Sequence, residues 1–153
     1  MDVLTDSEAK FLKELEKIVI EHSVEIPRDG NKECLNLARN GDINDNIMRI
    51  HITTSKRNKE KCSFNVVYNK SITIFRIDIG GSRIHTNPDG EDIPTPHMHI
   101  YRDGFDAKFA IPLPSCFTDS NNFGRVLYDL LGYSNVVNRD SVEITYQGVL
   151  FNG

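Results

Sequence analysis

Three of the chain's five histidines, His85, His97 and His99, fall close together in the sequence. His97 and His99 stand two apart in an alternating run, and residues i and i+2 of a strand project from one face. Two imidazoles held that way can share a metal ion or flank a phosphate. His85 precedes them on a loop that also carries Asp89, Glu91 and Asp92, and Tyr101 continues their face of the strand. Metal chemistry would use His85, His97 and His99 as candidate ligands, since neutral imidazole is a common ligand for divalent ions. Metal-free phosphodiester cleavage would use the same histidines, with Tyr101, as acid and base beside Arg76 and Arg83.

No complete catalytic motif accompanies these residues. The cupin pattern asks for a Glu about four residues after H-x-H and a further His downstream. Asp103 holds the first place with the wrong acid, and no His follows His99. His51-Ile52-Thr53 matches one half of the paired H-x-T motif of a phosphoesterase family, and the other half is missing. There is no G-x-S-x-G, G-x-x-x-x-G-K-[ST] or G-x-G-x-x-G. Gly80-Gly81-Ser82-Arg83 suits a bulge at a strand end, or an anion cradle of backbone N–H groups.

The elements that must position these groups are legible from periodicity. Thr5-Asp6-Ser7-Glu8 is a capping box. Phe11, Leu12, Leu15, Ile18 and Val19 follow at helical spacing, so a first helix is expected to run to His22. Residues 33–38 suggest a strand, and Gly41 to Asn46 a polar loop. Met48, Ile50 and Ile52 then alternate with Arg49, His51 and Thr53. Strands also fit 62–68, joined by Asn69-Lys70 as a tight turn to 71–79, where Phe75, Ile77 and Ile79 alternate with Arg76 and Asp78.

Residues 82–96 suggest a loop containing the turn Asn87-Pro88-Asp89-Gly90. Strands are expected at 97–102, 107–113 and 142–151. Phe123, Val126, Leu127, Leu130 and Leu131 mark a second helix closed by Gly132. The expected fold is α+β, one domain over 1–153, with a curved antiparallel sheet and two helices on one face. The other face would carry Arg49, His51, Arg76, Asp78, His97, His99 and Tyr101, exposed to water and available to bind a ligand together with Arg83. Lys56, Arg57, Lys59 and Lys61 would form an exposed basic tip, a candidate contact for an acidic partner.

Composition narrows the class. The chain has 153 residues, 39% hydrophobic and 26% charged, and a net charge of −4. An acidic chain does not coat DNA or RNA. No run is long and apolar enough for a membrane helix, and no signal peptide is visible. Cys34, Cys62 and Cys116 form no C-x-x-C pair, so three free thiols in a reducing cytoplasm are expected. The sequence calls for no cofactor.

The run His85-Thr86-Asn87-Pro88, then Thr95-Pro96-His97-Met98-His99-Ile100-Tyr101, Gly104 and Pro112-Leu113-Pro114 resembles a family of small bacterial and prophage proteins with an H-T-N … P-H-x-H-x-Y signature. The resemblance spans roughly residues 70–150. It implies an α+β accessory protein of a bacterial cell or phage, of the kind that binds a host protein or a nucleotide, as counter-defence inhibitors do. Three expectations stand: a binding protein for a host protein or phosphate-containing ligand, a metal-free nuclease or phosphodiesterase, and a His-liganded metal enzyme.

Overall fold

The computed structural model describes residues 3–151. In chain order they form α1 (Asp6–Glu14), β1 (Lys17–Val19), β2 (Ser23–Glu25), β3 (Lys32–Arg39), β4 (Asp42–Thr54), β5 (Cys62–Tyr68) and β6 (Ile72–Ile79). These are followed by β7 (Ile84–Thr86), β8 (Asp92–Pro94), β9 (His97–Arg102), β10 (Asp106–Pro112), α2 (Phe123–Tyr133), β11 (Glu143–Tyr146) and β12 (Val149–Phe151). Seven strands make an open sheet in the order β1-β3-β4-β5-β6-β9-β10, every neighbouring pair antiparallel. A small sheet, β12-β11-β2, includes one parallel pair, and β7 and β8 form a separate hairpin.

The large sheet alternates as its sequence demands. Ile50, Ile52, Phe64, Val66, Phe75, Ile77 and Met98 are buried in one core. Both helices bury their apolar residues in it, Ala9 and Leu12 from α1, and Phe123, Val126, Leu127, Leu130 and Leu131 from α2. Phe123 meets Phe64 edge-on, with ring centroids 6.5 Å apart, and Tyr133 meets Phe75 at 5.3 Å. Burying each such side chain contributes roughly 1.5–3 kcal/mol. The α+β reading holds. Among the described residues no helix is long and apolar enough to cross a membrane.

Several boundaries differ from expectation. The capping box at Thr5 and Glu8 forms in both directions, but α1 stops at Glu14. Ile18 and Val19 pair with Ala38 and Leu37 as an edge strand, Phe11 is exposed, and His22 lies in a bend. The β-branched run Ile18-Val19-Ile20 fits a pleated strand better than a helix. Residues 42–46, read as loop, extend β4. Residues 82–96 contain the β7–β8 hairpin, closed by the expected Asn87–Gly90 turn. The last strand is two, β11 and β12, reversed at Gln147-Gly148, where both residues have positive φ. Gly132 lies inside α2, and Asn135 takes the left-handed conformation beyond it.

Candidate functional site

Sheet register puts the polar side chains of β6 against those of β9: Arg76 pairs with His99, and Asp78 with His97. The face was expected to be wet. Instead His97 and His99 are 3% and 4% exposed. The cover comes from the β7–β8 hairpin, which closes over the sheet's last edge. Asn87 donates to and accepts from the Ala110 backbone (2.9 and 2.8 Å), and His85 Nε2 donates to the Lys108 carbonyl (2.7 Å). These bonds satisfy backbone groups of β10, the edge strand, that no further strand pairs.

Between hairpin and sheet lies a cavity of about 650 Å³. His97, His99, Asp78 and Arg76 line it from the sheet, with Thr53 and Ser63 beside them. His85, Arg83 and Lys61 line it from the surrounding segments. Gly80 lets the wall close: at φ +82°, a Cβ there would stand 2.1 Å from the Glu60 carbonyl oxygen. The three imidazoles pack together, with ring centroids 4.5 Å apart for His85 and His99, 4.8 Å for His97 and His99, and 5.9 Å for His85 and His97.

At the cavity's base three polar atoms converge. Asp78 Oδ2 lies 3.3 Å from His97 Nε2 and 3.1 Å from His99 Nε2, and the two Nε2 atoms are 3.2 Å apart. Arg76 holds the carboxylate by both oxygens, Nε to Oδ1 at 3.0 Å and Nη2 to Oδ2 at 3.1 Å. His99 Nδ1 is 2.9 Å from the Ala107 carbonyl. A carbonyl only accepts, so this nitrogen carries the proton. The Pro94 carbonyl lies near the His97 ring, yet Nδ1 of His97 is buried without a well-formed hydrogen bond.

The electrostatics follow from this packing. Burial raises the Asp78 carboxyl, but its contacts with His99 and Arg76, with the Arg76 charge, outweigh it and hold Asp78 well below the usual carboxylate range. Burial pushes His97 down against the opposing pull of Asp78. Burial in the core on the other face of β5 pushes the Cys62 thiol up to about 12, so this sulfur is a thiol and a poor nucleophile.

Of the residues singled out from sequence, the fold therefore gathers His85, His97, His99, Arg76, Arg83 and Lys61 around one cavity. Arg49 and His51 stay on the same sheet face but do not line it. Register runs His51–Asn65–Arg76–His99 across four strands, so His51 stands about 14 Å from His99, three strand spacings away. Tyr101 is buried, and its hydroxyl donates to the Leu4 carbonyl (2.6 Å), which ties down the segment before α1. Asp89 and Asp92 serve the hairpin: Asp89 accepts from the Glu91 backbone and Asp92 from the Thr86 hydroxyl. Lys56, Arg57 and Lys59 are exposed on the 55–61 tip and do not line the cavity, whereas Lys61 turns into it. Asp78 is the residue that sequence reasoning undervalued. Its signal was Arg76-x-Asp78 alternating on one strand as His97-x-His99 alternates on another.

No curated protein and no solved structure matches the chain. A family model matches from the segment before α1 to just past α2, a span that contains every residue of this cavity. Residues 4–136 match the family of unknown function DUF6978, and the chain belongs to that family.

Proposed function

We propose that the cavity binds a phosphate-containing small molecule, and that the protein acts as a small accessory binding protein through it. The observation that carries this reading is the sign of the lining. Lys61, Arg76 and Arg83 face one carboxylate, Asp78, in a chain whose net charge is −4. A cationic concavity in a protein of net negative charge concentrates anions there. Arg76 spends Nε and Nη2 on Asp78, and the planar guanidinium keeps its Nη1 protons for a phosphate oxygen. The size is suitable too, because small-molecule sites commonly span about 300–1,000 Å³. The resemblance to prophage proteins adds a bacterial setting. The host-protein reading rests on the exposed tip of Lys56, Arg57 and Lys59, none of which lines this cavity.

Titration calorimetry with pyrophosphate and ADP at low salt tests the proposal. Binding should weaken at least about tenfold in Arg83→Gln with the melting temperature kept, and should fall as salt rises. Absence of binding by both probes, or equal binding by the variant, contradicts it. A catalytic version is favoured by one observation: His85 gives its Nε2 proton to Lys108, so a neutral His85 keeps Nδ1 as a base. Turnover of a phosphodiester by the wild type, lost in His85→Ala, would establish it.

A further inference from the structure

We infer that Asp78, His97 and His99 form a binding site for a divalent first-row transition ion, with a two-histidine, one-carboxylate ligand set on the cavity floor. Among the described residues this is the one group of three or more potential metal ligands that converges. The three facing atoms form a nearly equilateral triangle with edges of 3.1, 3.2 and 3.3 Å. An ion bonded at about 2.1 Å to three ligands spread by about 100° separates those ligands by about 3.2 Å. The triangle therefore already has the dimensions of one face of a coordination shell.

The protonation pattern points the same way. His99 gives its Nδ1 proton to the Ala107 carbonyl, so in the neutral ring Nε2 is a lone pair. That lone pair faces a carboxylate oxygen and a second imidazole nitrogen. Two lone-pair atoms that close need a proton or a cation between them: a hydrogen on His97 Nε2 supplies one, and a metal ion bonded to all three atoms would take its place. An N–H donated to a backbone carbonyl, with the opposite nitrogen directed inward, is the arrangement that orients ligating histidines. Arg76 supplies the matching support for the carboxylate. It occupies one lone pair of Asp78 Oδ2, and the oxygen's second remains for the centre.

All three side chains also line the cavity, so an ion bound to one face of its shell would keep its other positions open to a small ligand or water. His85 belongs to the wall and not to the ligand set, because it does not join the three atoms that converge on the floor. The ligand chemistry suits Zn²⁺, Fe²⁺ or Co²⁺ and disfavours Ca²⁺ and Mg²⁺, which prefer oxygen ligands.

The test is Co²⁺ titration of untagged, chelator-treated protein in phosphate-free buffer, read by visible absorption, with Zn²⁺ as competitor. One equivalent should bind, with d–d bands stronger than those of the aqueous ion, and Zn²⁺ should displace it. Asp78→Asn and His99→Ala should each weaken binding by about 100-fold or more, while His85→Ala should change it less than about threefold. If the ligand variants fail to fold, ¹⁵N spectra of wild-type histidines decide. Zn²⁺ should shift Nε2 of His97 and His99 and leave His22 and His51 unmoved. A wild-type titration that keeps the aqueous Co²⁺ spectrum overturns the inference in favour of the proton, and shifts at His22 or His51 in place of His97 and His99 overturn it as well. The anion titrations use metal-free protein, so either proposal can fail without the other.

Discussion

At the residue scale, the histidine pair shows the difference between a face and an environment. That His97 and His99 share a face was legible in their spacing, as was the presence of Arg76 on that face. Their burial was not, because it depends on Asn87 and His85 reaching Ala110 and Lys108, contacts made across a turn and two strands. The consequence for mutation is reversed. A wet-face His99→Ala would be neutral within about 0.5 kcal/mol. Here the change leaves the Ala107 carbonyl short of its donor, so it should cost about 1–3 kcal/mol. Urea unfolding of wild type and variant measures this, and a loss below 0.5 kcal/mol would restore the wet-face view.

At the element scale, the turn chemistry was the most readable signal. Asn69 and Lys70 both take positive φ, 51° and 66°, at the centre of a turn closed by the Ser71 N–H donating to the Tyr68 carbonyl (3.3 Å), the twist that suits a hairpin connection. Lys70→Gly relieves a left-handed Lys and should stabilise the protein by up to about 1 kcal/mol, less the added freedom of the unfolded chain. An unchanged or lower denaturation midpoint would contradict that. The β7–β8 hairpin was missed because its strands are three residues long and carry Pro94 and a turn-rich sequence, so local pattern read as loop. Its hold on the sheet runs largely through Asn87, whose amide satisfies both backbone groups of Ala110. Asn87→Ala should therefore destabilise by about 2–3 kcal/mol and weaken pyrophosphate binding together. Loss of stability with full affinity would show that the hairpin does not shape the site. The first helix was read too long for the opposite reason. Helical spacing continued into Ile18 and Val19 by coincidence, while their pairing partners, Ala38 and Leu37, lie far along the chain in β3.

At the scale of the whole molecule, one buried lysine joins distant parts of the chain. Lys17 is fully buried on the edge strand β1, and its Nζ donates to the carbonyls of Lys13, Leu15 and Ser134 at 3.0, 2.7 and 2.7 Å. It thus ties the end of α1 to the residue that follows α2. Burial, with the nearby charge of Lys13, lowers its pKa from 10.5 to about 8. Between those values the unfolded chain holds a proton that the folded chain has released, so this group makes stability rise with pH across the window. At about 1.4 kcal/mol per unit, wild type should gain roughly 2 kcal/mol over Lys17→Met between about pH 7 and 9.5. Comparing the two proteins cancels the titration of thiols and tyrosines, and a pH-independent difference would contradict the shift. The α+β class and the order of the sheet's central strands followed from alternation and short turns. The closing of the molecule by Lys17, and of the site by the hairpin, rests on long-range hydrogen bonds that no local pattern announces.

The proposed anionic ligand would meet the protein in the histidine-floored cavity. The most direct measurement is a map of amide and side-chain chemical shifts during titration with pyrophosphate. Saturable changes are expected at Lys61, Ser63, Arg76, Arg83 and His85, which line the cavity. Saturable changes confined to the tip at Lys56, Arg57 and Lys59, or none anywhere, would contradict it.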